Sequence, residues 1–271
     1  MISVDRAGIV AALEDEWASL LALTDDLGPD DWDRPTACPG WSVKDNVSHV
    51  VGTEALLLGR PTPEADIGDA PHLRNDIGRF NEHWVVHYRT RPPAEVVADL
   101  RAVIDERRDV LAAMDQDAFD AESFTPAGPD SYGRFMRIRV MDTWFHEQDV
   151  REAAGRPGHL EGPAPAAALD EVRAALGYVV GKKAAAPAGS TVRFELTGPL
   201  AGRIDVEVTD RARVVGALAG EPTVTVAIPG DRFMRLCGGR VADAGTHEDG
   251  VTVRGDATLG SAIVSNLAFM I

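Results

Sequence analysis

Apolar residues recur every three to four positions through most of the first 155 residues, and every second position through much of the remaining chain. The first spacing puts one face of a helix in a core, and the second puts one face of a strand there. Ile9, Leu13, Trp17, Leu20, Leu21 and Leu23 form the first stripe, which predicts a helix capped at Ser3 and running to about Leu27. Ser42 and Asp45 have the S-x-x-D spacing of a capping box and predict a second helix to about Leu58. Further helices are expected from Asn75 to Arg89, Ala94 to Met114 and Tyr132 to Ala154, the last stopped by Gly155 and Pro157. The polar stretch from Asp115 to Asp130, with Pro126, Gly128 and Pro129, reads as a loop.

Beyond a Gly/Pro cluster near residues 156–164 the pattern changes. A helix from about Ala164 to Gly181 is followed by TVRFELTG, GRIDVEVTD, ARVVGAL and PTVTVAIP, which alternate as strands between Gly, Pro and Asp. GDRFMRLCGGR predicts a short helix, VTVRGD a strand and ATLGSAIVSNLAFMI a closing helix. The expected fold is α+β overall, with an antiparallel helical bundle over residues 1–158 and a smaller α+β domain over residues 159–271.

Composition narrows the functions. The hydrophobic fraction is 45% and the charged fraction 26%, as in a globular chain with a substantial core. A formal net charge of -16 repels phosphate backbones and anionic lipids, so neither nucleic acid nor membrane is an expected partner. The first residues, MISVDRAGIVAALEDEW, carry acids where a signal peptide needs a basic start, and Cys38 and Cys237 form no CxxC pair. A reducing cytoplasm is the expected compartment.

Candidate chemistry lies in two segments. His49 sits in the second predicted helix, and Asp142 and His146 share a face of the fifth at i and i+4. Two imidazoles and a carboxylate leave a position open on zinc, as a catalytic site does. Spacing alone discriminates poorly. With 43 acids, roughly one of the seven histidines should have an acid four positions earlier by chance, and Asp45/His49 and Asp243/His247 do as well. Asp45 is better read as a cap, and Asp243 and His247 as a solvated turn. His83 and His87 have metal-pair spacing, but on an amphipathic helix with Trp84 and Tyr88.

CPGWSVKDNVSHVVGTE, followed by a D-x-x-x-H-E-Q-D-V-R-E-A-A-G-R-P-G segment, resembles the mycothiol-dependent maleylpyruvate isomerase family of actinobacteria, within the DinB-like group of four-helix metal proteins. The second half resembles that family's sterol-carrier-like module. The resemblance implies metal ligation by His49, Asp142 and His146, where the family pattern has Glu in place of Asp142. It also implies a divalent metal, zinc first, and mycothiol as thiol cosubstrate. The implied activity is S-transfer to a small electrophile or its thiol-assisted isomerisation, by a monomer or homodimer. Asp149 is a candidate to hold a ligand histidine, with a surface ion pair to Arg151 or Arg156 as the other reading. Glu147 is expected to be structural or solvent-exposed, and Cys38 a framework residue of its turn. Arg235 and Arg240, with Arg232 beside them, are candidates to hold a substrate carboxylate. The competing function is a non-catalytic carrier of a small apolar ligand, which predicts a closed apolar tunnel in the second domain.

Overall fold

The structure is a computed structural model, and it describes residues 1–240 and 250–270; Asp243 and His247 lie outside the described residues. The chain divides into two compact units, Met1–Ala164 and Pro165–Ile271. Residues 159–164 go with the first, because His159 and the N–H of Ala164 both bond to Asp15.

The first unit is helical. Its helices are α1 (Arg6–Asp26), α2 (Val43–Leu57), α3 (Asp76–Arg89), α4 (Pro93–Ala113), α5 (Gln116–Asp120) and α6 (Tyr132–Ala154). α1 is capped by Asp5, which accepts the N–H of Gly8, not by Ser3, whose hydroxyl bonds to Asp120. Asp5 wins because its carboxylate reaches the exposed N–H groups of the first turn with full charge. Ser42 and Asp45 form the reciprocal capping box of α2. The stretch after Asp115 is not wholly loop: it forms α5 and a two-residue antiparallel pair, β1 (Glu122–Ser123) with β2 (Asp130–Ser131). α6 starts at Ser131, which accepts the N–H of Arg134, and ends at Gly155, whose left-handed backbone (φ 68°) returns its N–H to the Arg151 and Glu152 carbonyls.

α1, α2, α4 and α6 form a bundle. α6 packs on both α1 and α2, α4 also touches both, and α3 lies against α2. Leu13, Trp17 and Leu20 of α1, Val47 and Val50 of α2, Leu100 and Ile104 of α4, and Met136 and Val140 of α6 are all buried. The close approach of α3 depends on Gly52, since a Cβ there would lie 2.3 Å from the Trp84 ring.

The second unit is α+β. Helix α7 (Pro163–Tyr178) begins at the unit boundary and runs into a π-turn (Val179–Lys183). Strands β3 (Thr191–Thr197), β4 (Gly202–Val208), β5 (Ala212–Val215), β6 (Val224–Pro229) and β7 (Thr252–Gly255) form one sheet in the order β5-β4-β3-β6-β7. β3 and β6 are parallel and every other pair is antiparallel. α8 (Gly230–Cys237) and α9 (Ala257–Ser265) cover the sheet around Phe194, Phe233 and Ile263. α9 stops at Ser265, short of the expected end, where Phe269 and Met270 turn back to bond the Cys237 carbonyl. Among the described residues no helix is long and apolar enough to cross a membrane.

Asp130 ties the N-terminal stretch of chain to the start of α6. It accepts the N–H groups of Ile2 at 2.6 Å and Ser131 at 2.8 Å, and Arg134 Nη1 at 2.9 Å. Burial would raise its pKa, but these donors outweigh burial and lower it from 3.8 to about 2. A depressed carboxylate stabilises the fold above its unfolded value, and that contribution disappears as pH falls from about 4 to about 2. Asp130→Asn should therefore cost about 1–2 kcal/mol at neutral pH and almost nothing near pH 2, as read from denaturant unfolding across pH.

Candidate metal centre

The centre lies between α2 and α6, closed at one end by the turn that holds Cys38 and Trp41. Asn46 and His49 stand one turn apart on α2; Arg139, Asp142, His146 and Asp149 form a single stripe on α6. Ligand atoms of His49, Asp142 and His146 all lie within 4.8 Å of one another. His49 Nε2 is 3.0 Å from Asp142 Oδ2, and His146 Nε2 is 3.6 Å from Asp142 Oδ1. Both imidazoles are buried, whereas the Asp142 side chain is 28% exposed and marks the open side.

The tautomer of His146 is set by its neighbours. Asn46 Nδ2 donates to the Ser42 carbonyl at 2.8 Å and to Thr36 Oγ1 at 2.9 Å. A carbonyl only accepts, so the other amide atom, Oδ1, is the one 2.7 Å from His146 Nδ1. His146 Nδ1 is therefore the donor to Asn46, and Nε2 is the nitrogen turned toward Asp142 and His49. Burial lowers the pKa of His49 to about 4 against the partial opposition of Asp142, so this ring is neutral at pH 7, and its Nδ1 is buried without a hydrogen-bond partner. Burial would raise Asp142, but the Arg139 guanidinium and the hydrogen bonds of the imidazoles overcome it and hold the carboxyl well below its ordinary range. Two imidazole nitrogens and one carboxylate suit a divalent ion such as zinc.

A chain of buried charge supports this set. Glu54 accepts Arg107 Nε at 3.0 Å and Arg139 Nε at 3.1 Å, and Arg139 Nη1 goes on to Asp142 Oδ2. Glu54 and Arg107 are fully buried and Arg139 nearly so. Trp41 walls the site, with ring centroids 5.3 Å from His49 and 5.6 Å from His146, and its indole N–H is held by Glu82 at 2.9 Å.

Other expected residues fall elsewhere. Asp149 is buried, not a surface ion pair: Cys38 Sγ donates to it at 3.1 Å, while Arg151 pairs with Glu147 and Arg156 with Asp26 and Asp31. It stands 3.6 Å from His146 Nδ1, and the nearer partner there is Asn46. Glu147 is fully buried on the α1 side of α6, bonded to Ser19 and Arg151. Among the described residues, His83 and His87 join no group of converging metal ligands; His87 stacks edge-on with Trp84 and Tyr88. Arg235 lies in α8 of the second unit, where its Nη2 donates to the Arg240 carbonyl at 3.4 Å and Arg240 Nη1 donates to the Gly238 carbonyl at 2.7 Å. Asn46, Glu54 and Arg139 were not anticipated. The signal for two of them is in the chain: Asn46 is three positions before His49, and Arg139 three before Asp142.

Removing the carboxylate between two buried guanidinium groups leaves both without their shared partner. Glu54→Ala should lower unfolding free energy by about 3–5 kcal/mol in urea; a loss below about 1 kcal/mol would show that the pairing is unimportant to the bundle.

The chain matches the mycothiol maleylpyruvate isomerase N-terminal domain over residues 13–151 and the MDMPI C-terminal domain over residues 166–262. Uncharacterized proteins of two strains of Mycobacterium tuberculosis are 30% identical to it over 153 residues, or 56% of this chain and 58% of theirs. The chain thus matches somewhat over half the length of these curated relatives. Crystal structures of the mycothiol-dependent maleylpyruvate isomerase and of a mutant of it align with TM-scores of 0.56 and 0.54 at 18% and 17% identity, over 93% of this chain and 95% of theirs. At that identity the likeness shows the fold. With both domain descriptions matched in order across the two units, the chain belongs to the mycothiol maleylpyruvate isomerase family.

Proposed function

We propose that this chain is a divalent-metal enzyme that uses a low-molecular-weight thiol, mycothiol, to isomerise a small electrophile or to join the thiol to it through a new C–S bond. The observation that carries this reading is the convergence of His49 Nε2, His146 Nε2 and the Asp142 carboxylate, with His146 Nδ1 held by Asn46. Family membership supports the thiol, and the mycothiol-dependent isomerase sharing the fold supports the reaction class. Zinc is the first candidate for the ion. A bound divalent ion lowers the pKa of a coordinated thiol and makes thiolate available at neutral pH.

The chain's own residues have separate tasks. Asn46 fixes the tautomer and orientation of His146, as outer-shell partners of ligand histidines do. Arg139 holds the Asp142 carboxylate in place and is itself held by Glu54. Trp41 shields one side of the imidazole pair from water, and the exposed edge of Asp142 leaves the other side open to thiol and electrophile. Arg235 and Arg240 are proposed to bind a carboxylate of the substrate. A cleft of about 440 Å³ in the second unit has Lys182, Asp210 and Arg211 in its wall.

His49→Ala and His146→Ala should each remove one equivalent of zinc per chain, by elemental analysis, and abolish thiol-dependent turnover. Asn46→Ala should weaken zinc binding roughly 10- to 100-fold with the fold intact. Full zinc content and turnover in either histidine variant would refute the assignment. Arg235→Gln and Arg240→Gln should raise KM for a carboxylated electrophile and leave zinc content unchanged; an unaltered KM removes them from the site.

A further inference from the structure

His146 and Glu147 are neighbours in sequence, so on a helix their side chains diverge by about 100°. His146 faces α2. Glu147 faces α1, where it meets Glu16, and it also meets His159 from the loop after α6. Ligand atoms of these three residues lie within 4.8 Å of one another, as in the first centre.

The partners within this cluster divide unevenly. Glu147 Oε1 is taken up by Ser19 Oγ at 2.5 Å and by Arg151, whose Nε is 2.8 Å away. Glu147 Oε2 is turned to His159 Nδ1 at 2.6 Å. The other nitrogen of that ring, Nε2, is 3.2 Å from Asp15 Oδ2, a carboxylate behind the imidazole. Asp15 is anchored in turn by the N–H of Ala164 at 3.1 Å. A carboxylate on the far nitrogen is the arrangement that orients a ligand histidine and presents its other nitrogen to a metal. The ring is also held through its backbone, whose carbonyl accepts Trp144 Nε1 at 2.9 Å and whose φ of 53° is left-handed for a non-glycine residue.

Glu16 is the group this network does not account for. Its side chain is fully buried, and neither Oε1 nor Oε2 has a hydrogen-bond partner. Oε2 lies 3.6 Å from His159 Nδ1, on the side where Glu147 Oε2 also points. Glu16 is buried beside a second carboxylate, Glu147, with His159 Nδ1 3.6 Å away, and a divalent ion among the three would meet both carboxylates.

We propose that Glu16, Glu147 and His159 form a second divalent-cation site, which fastens α1 and the 155–162 loop to α6. One imidazole nitrogen and two carboxylate oxygens suit a first-row ion such as zinc or manganese. Arg151 and Ser19 keep Glu147 Oε1 out of the coordination and leave Oε2 for the ion. The site is structural: it lies on the face of α6 away from the first centre, so its loss leaves thiol chemistry in place.

Zinc titration of the metal-stripped full chain tests this, with elemental analysis in parallel. Two equivalents are expected for the unsubstituted protein, one for Glu16→Gln, one for His49→Ala and none for the two combined. Glu16→Gln should retain the thiol-dependent turnover that His49→Ala loses. Zinc should raise the Tm of His49→Ala and fail to raise that of the combined variant. Asp15→Asn, a partly exposed substitution that leaves the buried carboxylates intact, should weaken the second equivalent roughly 10- to 100-fold. If Glu16→Gln binds as much zinc as the unsubstituted protein, or if His49→Ala binds none, the second site does not exist. If His49→Ala keeps both equivalents, it is the first centre that fails.

Discussion

The helical unit is organised by the burial of charge on both faces of α6. Wedged between α1 and α2, this helix has almost no side on which an ionised group can reach water. Each charge it carries therefore requires a counter-charge built in from a neighbouring helix. Toward α2 the requirement is met by a relay: Arg107 and Arg139 share Glu54, and Arg139 extends to Asp142, which meets His49. Toward α1 it is met by Ser19, Arg151 and His159 around Glu147. The position of the candidate metal ligands is a by-product of this matching, because Asp142 is oriented by a guanidinium that is itself oriented by a buried carboxylate.

The relay also fixes where the shorter acid sits. Aspartate reaches one methylene less far from the α6 axis than the glutamate of the family pattern. The structure nevertheless brings its carboxylate to 3.0 Å from His49 and 3.6 Å from His146. Arg139, one turn earlier on α6, bonds that carboxylate and is itself held by Glu54 on α2.

Much of this was readable from residue patterns. The capping box at Ser42 and Asp45, the Gly155 stop and the alternating strands are local signals, and local physics set those elements. His49, Asp142 and His146 were nameable because their surroundings, CPGW and the H-E-Q-D-V-R run, are distinctive words and not because i,i+4 spacing is informative. What could not be read were partners contributed across the fold. Glu54, Arg107 and Arg139 look like ordinary helix-surface charges in a linear sequence, and only packing shows that they lack solvent. The solvent-facing readings of Asp149 and Glu147 fail for the same reason. The parallel pairing of β3 with β6 was hidden too, since alternation reports which face of a strand is buried but not which neighbour it takes.

The missing side chain of Gly52 has a reach beyond its own helix. Because α3 settles so closely on α2 there, Glu82 arrives where it can grip the indole of Trp41, and that indole lines the imidazole pair. The placement of Trp41 beside the imidazoles thus depends on how near one helix may lie to another. A larger residue at position 52 would displace Trp84, and with it the helix that carries Glu82, without touching His49, Asp142 or His146.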